Sequence, residues 1–428
     1  MKTLDACISY LRDAMDAMPD RRTGKNLQYS MANVGLAAFS VFFMQRPSFL
    51  SAQRALRERF GKDNALSLFQ IDKIPTDNHI RKLLDGISPS HFDNVFFYAL
   101  EHLINNKSAL IRGVLGDYTL VALDGSEYFC SNNIKCSACN HRKRANGEIE
   151  YFHTFVAATI VKPHCGLTYS LPPEFVTPQD GSVKQDCEYK AALRWLQRVG
   201  PLCFQLKPIY LGDDLYAKNE ICERILDMKG SFIFTCKDNS HKTLFEFRKG
   251  LSLSTYETYK GSGKQKRKYC YNFVTDLPIR DGNDAVKVHW FEIIISRIDG
   301  KETYRNSFIT NIIPTMNNIT ELADCARCRW KIENETFNVL KNNGYHLEHN
   351  FGHGKQTLAS VLVILNLLAF TFHNVAEEME YLWRKAREAR VTRYQFFNDI
   401  GALSSCLLLS GWDSLMEMLI DSTRPQAP

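Results

Sequence analysis

A chain of 428 residues is too long for one ordinary hydrophobic core, and at about 150 residues per domain it predicts two to four units. Hydrophobic residues at 45% beside 23% charged mark a folded, soluble protein, and a net charge of +6 permits a polyanionic partner without requiring one. Thirteen cysteines, an odd number and about 3% of the chain, exclude a disulfide scaffold and fit a reducing cytoplasm.

The N-terminus acquires acids at Asp5, Asp13 and Asp16 where a secretory signal needs an apolar stretch, so no export signal is expected. Residues 1–115 read as helical, with apolar clusters at 34–43 and 92–103 separated by breakers at Pro19, Pro47, Pro75 and Pro89. Basic side chains gather at Arg21, Arg22 and Lys25, and again at Arg54, Arg57, Arg59 and Lys62. That suits a DNA-binding helical domain and equally an ordinary one with solvated cations.

From about residue 118 the texture turns to strands, at 119–123, 151–161 and 167–176. A helix follows over 186–199, with Ala192, Trp195, Leu196 and Val199 on one face and Gly200-Pro201 stopping it. Next come an apolar strand ending at Asp213, a helix carrying Ile221, Ile225 and Met228 that stops at Gly230, and a strand over 231–236. Three strands, helix, strand, helix, strand is the order of the RNase H-like fold, a mixed sheet covered by helices. Between about 240 and 315, strand-like segments are joined by glycine turns such as Lys260-Gly261-Ser262-Gly263 and Asp281-Gly282-Asn283, which predicts a separate β-rich insertion.

A long helix then begins near Thr320 and carries Glu333, and helical segments run to about residue 420. The apolar stretch 361–372, interrupted by Asn366 and Thr371, is shorter than the roughly 20 residues of a membrane span and reads as a buried helix. The expected organisation is a helical, DNA-binding 1–115; a first part of the RNase H-like core at 116–239; an insertion at 240–318; the helix carrying Glu333 and the end of the core at 319–375; and a C-terminal helical segment at 376–428.

Three acids stand at informative places. Asp124 follows Val121-Ala122-Leu123, Asp213 follows Ile209-Tyr210-Leu211, and Glu333 closes Arg329-Trp330-Lys331-Ile332-Glu333. Carboxylates at the ends of two buried strands and on a helix can share one site. Such hard oxygen ligands suit Mg2+ or Mn2+, and two ions about 4 Å apart stabilise both the attacking and the leaving oxygen of a phosphodiester displacement. Each acid also has a plain structural reading: Asp124-Gly125 is a turn pair, Asp213-Asp214 starts a loop, and Glu333 pairs with Arg329 one helical turn back. Arg329, Glu333, Phe337 and Lys341 recur every four residues and so line one face of the predicted helix, where Arg329 and Lys341 would hold phosphate beside a metal-binding carboxylate.

Lys260, Lys264, Lys266, Arg267 and Lys268 are interleaved with Tyr259, Tyr269 and Tyr271, the pattern of a nucleic-acid grip or of a solvated hairpin tip. The cluster His141-Arg142-Lys143-Arg144 offers Arg142 and Arg144 in the same role with fewer aromatics. Cys136-Ser137-Ala138-Cys139 has the gap of half a Zn2+ site, which His141, His153, Cys130, Cys165 or Cys187 would complete; reduced thiols packing a loop would look the same. Cys325 and Cys328 share the gap on a predicted helix, where packing is the expectation, and His349 and His353 fall in a glycine-containing turn where they support the site, touch DNA or simply pack.

The chain resembles the DDE-type transposases of bacterial insertion sequences, within the insertion-sequence-four-like group. The likeness rests on Leu123-Asp124-Gly125-Ser126, Leu211-Gly212-Asp213-Asp214-Leu215-Tyr216 and Arg329-Trp330-Lys331-Ile332-Glu333, with further similarity in 173–181 and in His349-Asn350-Phe351-Gly352-His353-Gly354. It covers roughly residues 115–375. The resemblance implies an RNase H-like core split by a β-rich insertion, with Asp124, Asp213 and Glu333 as ligands of two Mg2+ or Mn2+ ions. The implied activity is cut-and-paste cleavage at the terminal inverted repeats of an element and transfer of the freed 3′-hydroxyl into target DNA. A homodimer on double-stranded DNA in the cytoplasm, with no membrane, is the implied setting.

Acid separations of 89 residues (213 − 124) and 120 residues (333 − 213) leave room for such a core and its insertion. Because the group's second aspartate lies three residues before a tyrosine, here Tyr216, Asp213 is preferred to Asp214. The group's pattern of Tyr, two residues, Arg, three residues, Glu, six residues, Lys is met only at Arg329 and Glu333; Ala326 and Leu340 stand at the tyrosine and lysine places, with Lys341 one place late. The rivals are an RNase H-like nuclease without strand transfer and a repurposed DNA-binding protein without catalysis.

Overall fold

Three unbroken apolar runs form the centre of the molecule: Leu120 to Leu123, Ile209 to Leu211 and Phe232 to Phe234, every residue at most 1% exposed. Such runs are what strands covered on both faces require. In the computed structural model, which describes residues 2–23, 27–111, 113–178 and 186–421, they lie in adjacent strands of one sheet. Lys25 and the segment Gln179-Asp180-Gly181 lie outside the described residues.

The strands are β1 (Thr119–Ser131), β2 (Asn140–Lys143), β3 (Ile149–Val161), β4 (Tyr169–Ser170), β5 (Glu174–Val176), β6 (Pro208–Gly212), β7 (Ser231–Thr235), β8 (Ser254–Lys260), β9 (Arg267–Pro278), β10 (Lys287–Arg297) and β11 (Glu302–Thr310). They are ordered β2-β3-β1-β6-β7-β11-β10-β9-β8, with β4 and β5 also on β3. β1 runs antiparallel to β3 and parallel to β6, and β6 parallel to β7. The helices Glu188–Arg198 and Asn219–Asp227 supply the crossovers that parallel pairing demands. This is the mixed sheet with flanking helices of the RNase H-like fold.

Four expectations need correction. β1 does not end at Asp124 but continues to Ser131, because Gly125, Ser126 and Glu127 stay paired with β3. The strand expected at 167–176 is two short pieces, β4 and β5, separated at Pro172 and Pro173, which have no N–H to give the ladder. The stretch read as a separate insertion is joined to the core sheet through β11, whose Phe308 and Ile309 pair with Thr235 and Phe234 of β7, and it contains an unanticipated helix, Lys242–Lys249. The helix expected from Thr320 is broken: Ile319–Arg327 is α-helical, a turn follows at Cys328 and Arg329, Ile332–Phe337 is a π-helix, and Asn338–Asn342 is α-helical again.

The helical part is organised around Leu358–Met379, 22 residues long and apolar enough to cross a membrane, yet 94% buried inside the protein over its most apolar window. Met31–Phe43, buried at all 13 positions, lies against it, with Phe39 and Phe372 ring centroids 5.5 Å apart and Phe43 and His373 4.2 Å apart. Trp412 of a C-terminal helix reaches Phe43 and Phe69, so N-terminal and C-terminal helices share one core.

Asp85 ties this body to the segment after the core. Its carboxylate accepts from four successive backbone N–H groups at the start of the long helix: Lys355 at 2.8 Å, Gln356 at 3.0 Å, Thr357 at 3.0 Å and Leu358 at 3.1 Å. Burial works against its ionisation, but these donors outweigh burial and hold the carboxyl below its ordinary range. Asp85→Ala is expected to destabilise the protein by about 1–3 kcal/mol in urea or thermal denaturation, as loss of a charged cap should. Because the folded value is the lower one, this contribution is present above about pH 4 and lost as the pH falls, so the deficit should vanish in acid.

Candidate functional site: an acidic cluster on the central strands

Asp124 and Asp213 are brought side by side by register. Parallel β1 and β6 pair Val121 with Tyr210 and Ala122 with Leu211, and each acid lies two residues beyond the last of these pairs. Neighbouring strands are about 4.8 Å apart, so the two carboxylates leave the sheet as neighbours. Asp213 follows directly on Gly212, whose missing Cβ leaves room for the Tyr216 ring; a side chain there would come within 2.7 Å of Tyr216 Cγ. Asp213 Oδ1 accepts from Leu215 N at 2.8 Å, closing the turn that lets the chain double back.

Asp214 is turned away and fully engaged elsewhere. Its Oδ1 accepts from Lys237 N at 2.7 Å and lies 3.3 Å from His241 Nε2, and its other oxygen accepts from the Ser240 hydroxyl, so it anchors the loop after β7.

Glu333 enters from the π-helix, which packs on β1 and β3. The Arg329 guanidinium spans the gap, with Nη1 3.2 Å from Asp124 Oδ2 and Nη2 2.6 Å from Glu333 Oε1. A π-turn inside a helix is rare and tends to occur at functional sites. It also corrects the expected single face: Phe337 turns into the core, its ring edge-on to Phe155, while Lys341 pairs with Glu348 at 2.8 Å. Ala326 and Leu340, at the places of the group's tyrosine and lysine, are both buried.

A fourth carboxylate, Glu188, was not anticipated. It opens the helix Glu188–Arg198, where an acid in the first turn is unremarkable by sequence because it suits the helix dipole. In three dimensions it leans on β1: a Cβ at Gly125 would lie 2.2 Å from Glu188 Oε2. Gly125 is paired with Val156 within a strand, so its role is to admit this carboxylate and not to form a turn. The Tyr216 hydroxyl donates to Glu188 Oε1 at 2.9 Å.

Four acids crowded together leave an electrostatic mark. Burial pushes the Asp124 carboxyl up to about 7, the charges of Glu188, Glu333 and Asp213 add to the effect, and Arg329 opposes it. Glu188 is raised as well, by burial and by the charge of Asp213, against the hydrogen bond from Tyr216. The donor set is of the kind a hard divalent cation takes: oxygen ligands only, with an unfavourable concentration of negative charge, and Glu333 half exposed and held by Arg329.

The other predicted residues fall elsewhere. Lys264, Lys266, Arg267 and Lys268 lie at the β8–β9 hairpin on the far edge of the sheet, where Lys266 sits 5.2 Å over the Tyr259 ring and Lys268 pairs with Glu257 at 2.7 Å. Arg142 is held between Glu150 and Glu127, and Arg144 pairs with Glu150, so both cations are already neutralised within the chain. Cys136 and Cys139 meet His153 and His353, whereas Cys130 bonds Glu150 and Cys325 and Cys328 are buried in helix packing. His349 stands edge-on to Phe351 at 4.8 Å.

The family model for the transposase DDE domain matches residues 134–371, more than half of the chain. The chain belongs to the DDE-domain transposases. No curated protein matches it. Membership implies a DNA substrate and polynucleotidyl transferase or endonuclease chemistry, and the family generally uses divalent metals such as Mg2+. The matched span takes in Asp213, Glu333 and Glu188 of the transposase, and begins after Asp124.

Proposed function

We propose that this transposase acts by cut and paste within the insertion-sequence-four-like group, with Asp124, Asp213 and Glu333 as the catalytic acids holding two Mg2+ or Mn2+ ions. The observation that carries the reading is the Arg329 bridge between Asp124 and Glu333, beside Asp213 and Glu188, at a place where burial, with the charge of the neighbouring acids added, lifts Asp124 to about 7. Bound there, the ions would lower the pKa of water and neutralise charge on the phosphate. Asp124 from β1 and Asp213 from just beyond β6 would form one wall of the site, and Glu333, from the π-turn, would close the other. Arg329, once released from Asp124, presents a forked pair of donors matched to a phosphate. Lys341, beyond the π-turn, would meet the flanking backbone by exchanging Glu348 for phosphate.

Lys264, Lys266, Arg267 and Lys268 form the grip on double-stranded DNA, Lys264, Lys266 and Arg267 having no acidic partner among the described residues. The N-terminal helices add a second contact, and a homodimer brings two inverted repeats and the target together. Arg142 and Arg144 would join only by exchanging Glu150 for phosphate.

The test is a plasmid carrying this gene with its natural flanks, incubated with the full chain and Mg2+. Excised fragment followed by joined products is the expected result. Cutting without joining would make the protein a nuclease, and tight binding without cutting would make it a repurposed DNA-binding protein.

A further inference from the structure

A second cluster of ligand-type side chains lies apart from the acids, and its chemistry is different. Cys136 and Cys139 come from the loop after β1, His153 from β3 and His353 from the turn that precedes the long helix Leu358–Met379. One ligand atom from each lies within 4.8 Å of every other.

The individual separations are those of a coordination shell. Sγ of Cys136 and Sγ of Cys139 are 3.8 Å apart; His153 Nε2 lies 3.6 Å from the first and 3.3 Å from the second; His353 Nε2 lies 3.4 Å from Cys139 Sγ and 3.1 Å from His153 Nε2. A tetrahedral zinc ion, with Zn–S about 2.3 Å and Zn–N about 2.0 Å, sets S–S, S–N and N–N edges at about 3.8, 3.5 and 3.3 Å. The surroundings suit the ion too. His353 Nδ1 faces Gly354 O at 3.2 Å, which directs its Nε2 lone pair inward, and the Cys136 backbone N–H donates to Cys139 Sγ at 3.3 Å, as to a thiolate. His153, 2% exposed, has no hydrogen-bond partner at Nδ1 among the described residues, and the rings of Tyr128 and Phe129 pack on His153 and His353.

We propose that Cys136, Cys139, His153 and His353 bind one Zn2+ as a closed structural site. Both thiols give up their protons to solvent on binding, and four protein ligands leave no position for substrate. The ion staples the β1–β3 pair, which carries Asp124, to the segment that follows Glu333, two parts of the chain 200 residues apart at His153 and His353. It therefore holds one wall of the acidic cluster against the other.

The test uses the full chain, stripped of metal under reducing conditions and titrated with Co2+ and then Zn2+. Saturation at about one equivalent, with tetrahedral ligand-field bands and thiolate-to-cobalt charge transfer that Zn2+ abolishes, is the expected result. The double variant Cys136→Ser, Cys139→Ser should lose the charge-transfer bands, His353→Ala should keep them with an altered ligand field, and Cys325→Ser should match the parent. Failure of the parent chain to produce a tetrahedral spectrum would overturn the assignment without reference to any variant. So would charge transfer that survives in the double variant, an unchanged spectrum in His353→Ala, or its loss in Cys325→Ser.

Discussion

Asp213→Asn is expected to lower Mg2+-dependent cleavage by about 10³-fold or more, while Asp214→Asn, one residue away, leaves cleavage within about tenfold of the parent and lowers stability instead. The two carboxylates share a sequence neighbourhood but not a chemistry. Asp213 keeps one oxygen for its own turn, at Leu215 N, and its charge acts on Asp124, Glu188 and Arg329. An asparagine there preserves the turn and removes the charge that holds metal. Asp214 spends both oxygens on Lys237 N and the Ser240 hydroxyl, with His241 beside it. Replacing that acceptor leaves the loop after β7 under-satisfied, a loss of about 1–3 kcal/mol. Cleavage of flank-bearing DNA and urea denaturation, measured on both variants, separate the two roles. Unchanged cutting by Asp213→Asn, or abolished cutting by a folded Asp214→Asn, would remove Asp213 from the site.

That distinction was legible in the sequence only through spacing to Tyr216. In the structure Tyr216 packs against Gly212 and bonds Glu188, so the glycine before Asp213 and the tyrosine after it belong to one local arrangement. The core strands were legible because runs such as Val121-Ala122-Leu123 have no polar face to expose, and the helix 186–199 because its apolar residues keep a 3.6-residue period. What escaped depends on register. Nothing local says that Gly125 stays in a strand, since Asp-Gly is ordinarily a turn, and nothing local says that Glu188 faces it. The π-turn at Ile332–Phe337 inserts residues into a helical period that the sequence alone renders as a regular four-residue stripe, which is why Lys341 was expected beside Glu333 and instead meets Glu348. His353 was seen, but its partners Cys136, Cys139 and His153 are joined to it only by tertiary packing.

Asp124→Asn should inactivate the enzyme and yet stabilise the metal-free protein, to an extent that depends on pH. The Asp124 carboxyl titrates at about 7 in the folded state, raised by burial and by Glu188, Glu333 and Asp213, against about 3.9 when unfolded. Between these values the folded chain holds the extra proton, so stability falls as the pH rises through the window and the full penalty stands above 7. Three pKa units set a ceiling of about 4 kcal/mol, and partial solvation of the site makes roughly 2–4 kcal/mol the expected scale. The variant and the parent should therefore melt together near pH 4 and diverge by several degrees at pH 8, the variant higher. Saturating Mg2+ at pH 8 should raise the parent and close the gap, because a ligand bound only to the folded state stabilises it. The same titration makes metal affinity climb as the pH passes 7, so cleavage at limiting Mg2+ should rise over that interval and flatten when Mg2+ is in excess. A melting difference independent of pH would mean that Asp124 gains or loses only a hydrogen bond on substitution. An equal Mg2+ effect on both proteins would place the ion elsewhere.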